Sequence, residues 1–105
     1  MLTWQKIRQG IVIFDGAMGT MLQQAGLKGG ECPEAWNLDK PEYIKDIHKG
    51  YLEAGAMVIE TNTFGASPVK LKEYGLENKT AEINKRAAQL AQEVAGGKAL
   101  VAGSI

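Results

Sequence analysis

Ile11-Val12-Ile13-Phe14-Asp15-Gly16-Ala17-Met18-Gly19-Thr20 is the stretch on which the reading of the whole chain turns. Four apolar residues, three of them β-branched and one aromatic, read as a strand buried on both faces. An Asp follows at once, then two glycines and a short helical pattern. A carboxylate at the C-terminal end of a buried strand, beside backbone freed by glycine, suits a polar substrate. The arrangement recurs in Met57-Val58-Ile59-Glu60-Thr61-Asn62-Thr63-Phe64-Gly65. Two strands that both end in polar side chains imply one shared site at one end of a parallel sheet.

Outward from these strands, the rest of the chain reads as helices and one more strand. Leu2 to Gln9 is a short amphipathic segment ended by Gly10, and Thr20 to Ala25 a brief helix stopped by Gly26. Leu27 to Lys40 is irregular; either it is a surface excursion pinned by Trp36 or it carries function. Pro41 opens a helix with Ile44, Ile47, His48, Tyr51 and Leu52 on one stripe. Gly55 closes it before the strand Met57 to Thr61. Ser67-Pro68 starts a helix through Tyr74, Asn78 caps a longer one to about Ala95, and Gly96-Gly97 breaks it. Ala99 to Ile105 reads as a third buried strand. Such alternation predicts parallel strands with helical crossovers. With helices on one side only, the sheet would leave a wide apolar face, so the sequence reads as the first part of a larger sheet or barrel.

Composition bounds the function. The 105 residues allow one domain, and 45% hydrophobic with 23% charged residues is globular. Twelve basic residues balance twelve acidic ones, which argues against nucleic acid or an anionic membrane surface as partner. No apolar run approaches the roughly 18 residues of a membrane span, and Trp4-Gln5-Lys6-Ile7-Arg8 is not a signal peptide. A lone Cys32 fits a reducing compartment, so a cytoplasmic location is expected.

Each candidate residue has a plainer alternative. Asp15 faces a substrate ammonium or caps the helix after it. Gly16-Ala17-Met18-Gly19 lacks the first glycine of a dinucleotide turn, and an Asp at its head would repel pyrophosphate. In Glu60-Thr61-Asn62-Thr63, alternate side chains share a face; they serve a site, or Asn62 forms a turn and Thr63 a cap. His48 reads as a core histidine. Cys32 has no second soft ligand, so this chain by itself builds no zinc site.

Together the motifs resemble the homocysteine S-methyltransferase family, closest to the N-terminal homocysteine-binding barrel of the cobalamin-dependent methionine synthases. The matching blocks are Asp15-Gly16-Ala17-Met18-Gly19-Thr20, Asn37-Leu38 with Pro41, Ile47-His48 with Tyr51-Leu52, and Ala54-Gly55-Ala56. Glu60-Thr61-Asn62-Thr63-Phe64-Gly65-Ala66 and Val101-Ala102-Gly103-Ser104-Ile105 continue the match. The resemblance implies an α/β fold made of the first three βα units of a (βα)8 TIM barrel, so that residues 1–105 are an N-terminal fragment of a homocysteine-binding domain. It implies methyl transfer to the homocysteine thiolate in methionine synthesis, the donor being methylcobalamin, betaine or S-methylmethionine. Zinc held by cysteines of later strands is expected in the complete domain, with cobalamin as a methyl carrier. Asp15, Gly16 and Thr61 would hold the amino-acid end of homocysteine, with Ala17, Glu60 and Asn62 behind them. Lacking the zinc ligands, the chain alone is expected to be inactive, and its partner is either the remainder of the barrel or itself. The alternative is a non-catalytic, self-associating half-barrel that binds an amino acid weakly.

Overall fold

The computed structural model describes residues 14–103, and the expected Leu2–Gln9 helix, the start of the first strand and Ser104-Ile105 lie outside them. Two strands pair in parallel, β1 (Val58–Glu60) and β2 (Leu100–Ala102), in the register Val58 to Leu100, Ile59 to Val101 and Glu60 to Ala102. Phe14 forms a parallel bridge to Val58 on the other side of β1, and the Asp15 N–H donates to the Val58 carbonyl at 3.0 Å. The segment ending at Asp15 therefore lies beside β1 as expected, and β1 is central.

The first crossover holds α1 (Met18–Gln24), a 3-10 turn (Pro33–Ala35), α2 (Trp36–Asp39) and α3 (Pro41–Glu53). The second holds α4 (Pro68–Lys72), a 3-10 turn (Glu77–Lys79) and α5 (Thr80–Ala95). Helix α3 buries Ile44, Ile47 and His48, the stripe its spacing predicts, while Tyr51 and Leu52 are half-buried. Its first residue is Pro41, whose missing N–H costs nothing there. Helix α5 buries Ile83, Ala87, Leu90, Ala91 and Ala95, and ends where Gly96 takes a left-handed φ of 49°.

Three apolar clusters join these layers. Leu22, Leu27, Trp36, Ile44, Ile47 and Leu90 bind α1 and α2 to α3 and α5. Cys32, Ala66, Leu71 and Ile83 fasten α4 to α5. Ile59, Ala91, Ala95 and Ala99 seat the sheet on α5.

Several boundaries differ from the sequence reading. Asn78 does not cap α5; it lies in the preceding 3-10 turn, which the Thr80 hydroxyl closes by donating to the Glu77 carbonyl at 2.7 Å. Ser67 does cap α4, accepting from the Lys70 N–H at 3.2 Å, but the helix stops at Lys72 rather than Tyr74. The irregular stretch is neither structureless nor a bare excursion: Trp36 is 3% exposed and Asn37 0%, so it docks through two adjacent side chains. The bare apolar face expected of the sheet is absent at β1. Val58 and Ile59 point to opposite faces, and both are wholly inaccessible.

Candidate functional site

A strand that ends in polar residues delivers them to the mouth of the sheet, and here three segments converge. A cavity of about 320 Å3 is lined by Asp15 to Gly19, by Pro33 and Glu34, and by Glu60 to Phe64. All six residues singled out from the sequence, Asp15, Gly16, Ala17, Glu60, Thr61 and Asn62, lie on its wall.

Asp15 is held from its neighbour strand. Its Oδ2 accepts the Glu60 N–H at 3.1 Å, while Oδ1 is buried without a hydrogen-bond partner. The helix-cap alternative fails, because α1 starts after Ala17 with no side-chain cap. Burial pushes the Asp15 carboxyl up to about 6, the Glu60 charge adds to this, and the bond from the Glu60 N–H opposes it. A half-satisfied carboxylate at a cavity wall suits a cationic partner.

Gly16 is required by a close approach. A Cβ there would stand 2.9 Å from the Tyr51 ring, whose hydroxyl donates to the Ala17 carbonyl at 2.9 Å. Helix α3 thereby braces the turn that follows Asp15. Gly19 meets nothing within 4 Å and has no such constraint.

Beyond β1, Thr61 extends the ladder through its N–H to the Ala102 carbonyl at 2.8 Å. The Thr61 and Thr63 hydroxyls lie 2.7 Å apart across a tight turn in which the Thr63 N–H donates to the Thr61 carbonyl at 2.9 Å. Asn62, between them, is 4% exposed. Its amide donates to the Pro33 carbonyl at 3.0 Å and to Asn37 Oδ1 at 3.1 Å. Asn37 answers by donating to the Asn62 carbonyl at 2.9 Å. This buried clasp fastens the 3-10 turn and α2 to the loop after β1.

Glu34, 7% exposed, is a lining residue that the sequence reading did not name, and Phe64, quoted there only within its motif, stands 76% exposed at the rim. Glu34 could have been suspected from Pro33-Glu34 preceding a tryptophan in a long loop between elements, where function concentrates. Nothing local marks Phe64.

His48 is the core histidine its stripe suggests: it is inaccessible, neither ring nitrogen has a partner, and burial lowers its pKa to about 4. Cys32 is buried, its thiol donating to Glu34 Oε1 at 3.6 Å, and burial pushes that thiol up.

A family model described as homocysteine S-methyltransferase matches residues 12–105. Methionine synthase of Mycobacterium leprae (strain TN) is 37% identical over 99 residues, which are 87% of this chain and 8% of that protein. Methionine synthase of Mycobacterium tuberculosis (strain ATCC 25618 / H37Rv) is 36% identical over 97 residues, 85% of this chain and again 8% of the relative. The chain thus spans a small part of the curated relatives it matches. Among solved structures, the homocysteine methyltransferase MmuM from Escherichia coli in its metallated form superposes with a TM-score of 0.82 at 25% identity. That match covers 97% of this chain and 40% of the other.

Proposed function

Since this chain belongs to the homocysteine S-methyltransferase family, we propose that its polar cavity receives the amino-acid end of homocysteine. The chain then forms the first βα units of a (βα)8 barrel whose activity is methyl transfer to the homocysteine thiolate. The observation that carries this reading is Asp15: one carboxylate oxygen is tied to the Glu60 N–H and the other is buried without a partner at the cavity wall. A substrate ammonium supplies the missing donors and the positive charge. Gly16 and Thr61 line the same cavity, which supports their holding the rest of the amino-acid group. Because the Asp15 carboxyl is raised to about 6, the charged form that binds an ammonium is lost as pH falls through that value.

Zinc bound by thiolates would supply, in the complete domain, stabilisation of the substrate as its thiolate. The described residues do not fit that ion. Cys32 is the one cysteine of the chain, its thiol is turned to Glu34, and its raised pKa is the reverse of what a thiolate ligand needs. Among the described residues no group of three or more His, Cys, Asp or Glu side chains is arranged to hold a metal. These residues therefore bind and orient; methyl transfer by this chain alone is not expected. A methyl carrier, cobalamin in the branch that the motifs resemble, would act on the sulfur rather than at Asp15.

Calorimetric titration with L-homocysteine at neutral pH tests the proposal. One site is expected, and Asp15→Asn should weaken it about tenfold or more, the scale of a lost charged hydrogen bond. 4-Mercaptobutanoate lacks the ammonium and should bind the wild-type chain as weakly as homocysteine binds the variant. Equal binding of the two ligands by the wild-type chain would overturn the assignment of Asp15.

A further inference from the structure

We infer that Glu34 is a positioning residue of this site, a latch between the loop before α2 and the loop after β1 that sets Phe64 at the cavity mouth; this rests on the homocysteine reading above. A carboxylate buried to 7% exposure beside a cavity would ordinarily be read as a substrate contact. Its bonds say otherwise. Oε2 accepts the Gly65 N–H at 3.2 Å, and Oε1 accepts the Cys32 thiol at 3.6 Å. Both oxygens are engaged by protein donors, one from each loop.

Gly65 is matched to this carboxylate. A Cβ at that position would stand 3.0 Å from Glu34 Oε1 and 3.3 Å from its carboxyl carbon, so a side chain there would require the carboxylate to shift by a few tenths of an ångström. The absent side chain and the N–H bond are two features of one contact.

The neighbouring clasp does a different job. Asn62 and Asn37 fix the loop where it leaves β1, and the Asn84 amide holds the Ala66 carbonyl at 2.7 Å on the far side. Between these anchors Phe64 projects with 76% of its surface exposed, and its backbone is held through the adjoining Gly65 N–H. Asp15 and Thr61 line the same cavity, and the exposed Phe64 ring adds apolar surface to a wall that also includes Ala17, Met18 and Pro33. The methylene chain of a bound homocysteine would lie against such a surface. Glu34 thus acts on the ligand through Phe64 and does not touch it.

The test uses the full chain, titrated with L-homocysteine and followed by amide hydrogen exchange at Gly65. Glu34→Ala should weaken binding about tenfold and remove the protection of the Gly65 amide. Glu34→Gln keeps an oxygen for that N–H and should restore both to within about twofold, which a requirement for the charge itself would not allow. Phe64→Ala should weaken binding, and adding Glu34→Ala to it should cost little more, because the two residues act in series. Ile44→Val, a core change outside the cavity, lowers stability without altering affinity and controls for general loosening. Wild-type binding by Glu34→Ala, additive losses in the double variant, or unchanged Gly65 exchange would each overturn the latch. Should Glu34→Ala fail to fold, Gly65→Ala probes the contact from its other side: weakened binding supports the latch and wild-type binding overturns it. If the wild-type chain binds no homocysteine, the homocysteine reading falls. Exchange then decides the latch by itself, since loss of Gly65 protection in Glu34→Ala with recovery in Glu34→Gln supports it and unchanged protection overturns it.

Discussion

A hollow of about 510 Å3 on the flank between α1 and α3 is walled mainly by Met21, Ala25, Tyr43, Ile47 and Tyr51. A smaller one, about 320 Å3 beyond β1, brings together Asp15, Glu34, Glu60, Thr61 and Asn62. Volume would choose the first and chemistry chooses the second. The flank groove comes from helix packing, and its walls are chiefly carbon. The cavity at the strand ends has more polar surface than the groove because the first strand and β1 end there in polar residues, and it holds a carboxylate oxygen without a hydrogen-bond partner. Convergent, incompletely satisfied polar groups are the better sign of a binding site than empty space.

Tyr51 connects the two hollows, since it lines the groove and its hydroxyl braces Ala17 on the wall of the cavity. The comparison can therefore be strained from either side. The largest effect is expected below the groove, where Ile44→Ala should cost about 3 kcal/mol in urea unfolding while leaving homocysteine affinity of the folded chain unchanged. A comparable loss of affinity would show that the two regions are not separate. Next comes Gly16→Ala, which sets a methyl against the Tyr51 ring. A destabilisation of about 2 kcal/mol is expected, together with weaker binding, because here brace and site meet. Tyr51→Ala in the same background should remove the clash, so that the two losses do not add.

The pH dependence separates the regions again. His48, under the helical flank, has its pKa lowered to about 4 from 6.5. Its contribution is therefore full above 6.5 and lost as pH falls through 4. Stability should have dropped by about 1 kcal/mol at pH 5.5, and His48→Leu should flatten that fall. Asp15 is shifted the opposite way, from 3.8 to about 6, so its contribution is full below 3.8 and lost as pH rises through 6. Urea midpoints measured against pH in the Asp15→Asn background isolate the histidine. The smallest effect is reserved for Gln24→Ala at the groove rim, which should stay within about 0.5 kcal/mol and leave affinity unchanged. A clear loss of binding there would give the groove a role that its apolar walls do not suggest.

Much of this was legible in the sequence, for reasons that are local. The apolar run into Asp15, the run into Glu60 and the stripe Ile44-Ile47-His48 are patterns of period two or 3.6, set by backbone geometry alone. Pro41, Ser67 with Pro68, and Gly96 mark helix ends because each solves a problem of unpaired backbone groups at a terminus. Asn78 misled because Thr80, two residues on, bonds back to the Glu77 carbonyl and delays the helix. That competition between neighbours is not visible in a preference for capping residues.

What the sequence by itself determined was the set of strand-end residues, since a strand that turns polar must put that polarity at its end. It also carried the family, through blocks of residues kept in order. Only the tertiary structure decided what each polar group does with its hydrogen bonds. Asp15 is the group we propose for binding because β1 takes one of its oxygens and the other is buried without a partner. Asn62 is committed to Asn37 and Pro33, and Glu34 to Gly65 and Cys32. Those partners lie up to 31 residues away along the chain. A pattern read over a few residues cannot record which distant donor will arrive, and that arrival separates a residue that binds from one that holds the binder in place.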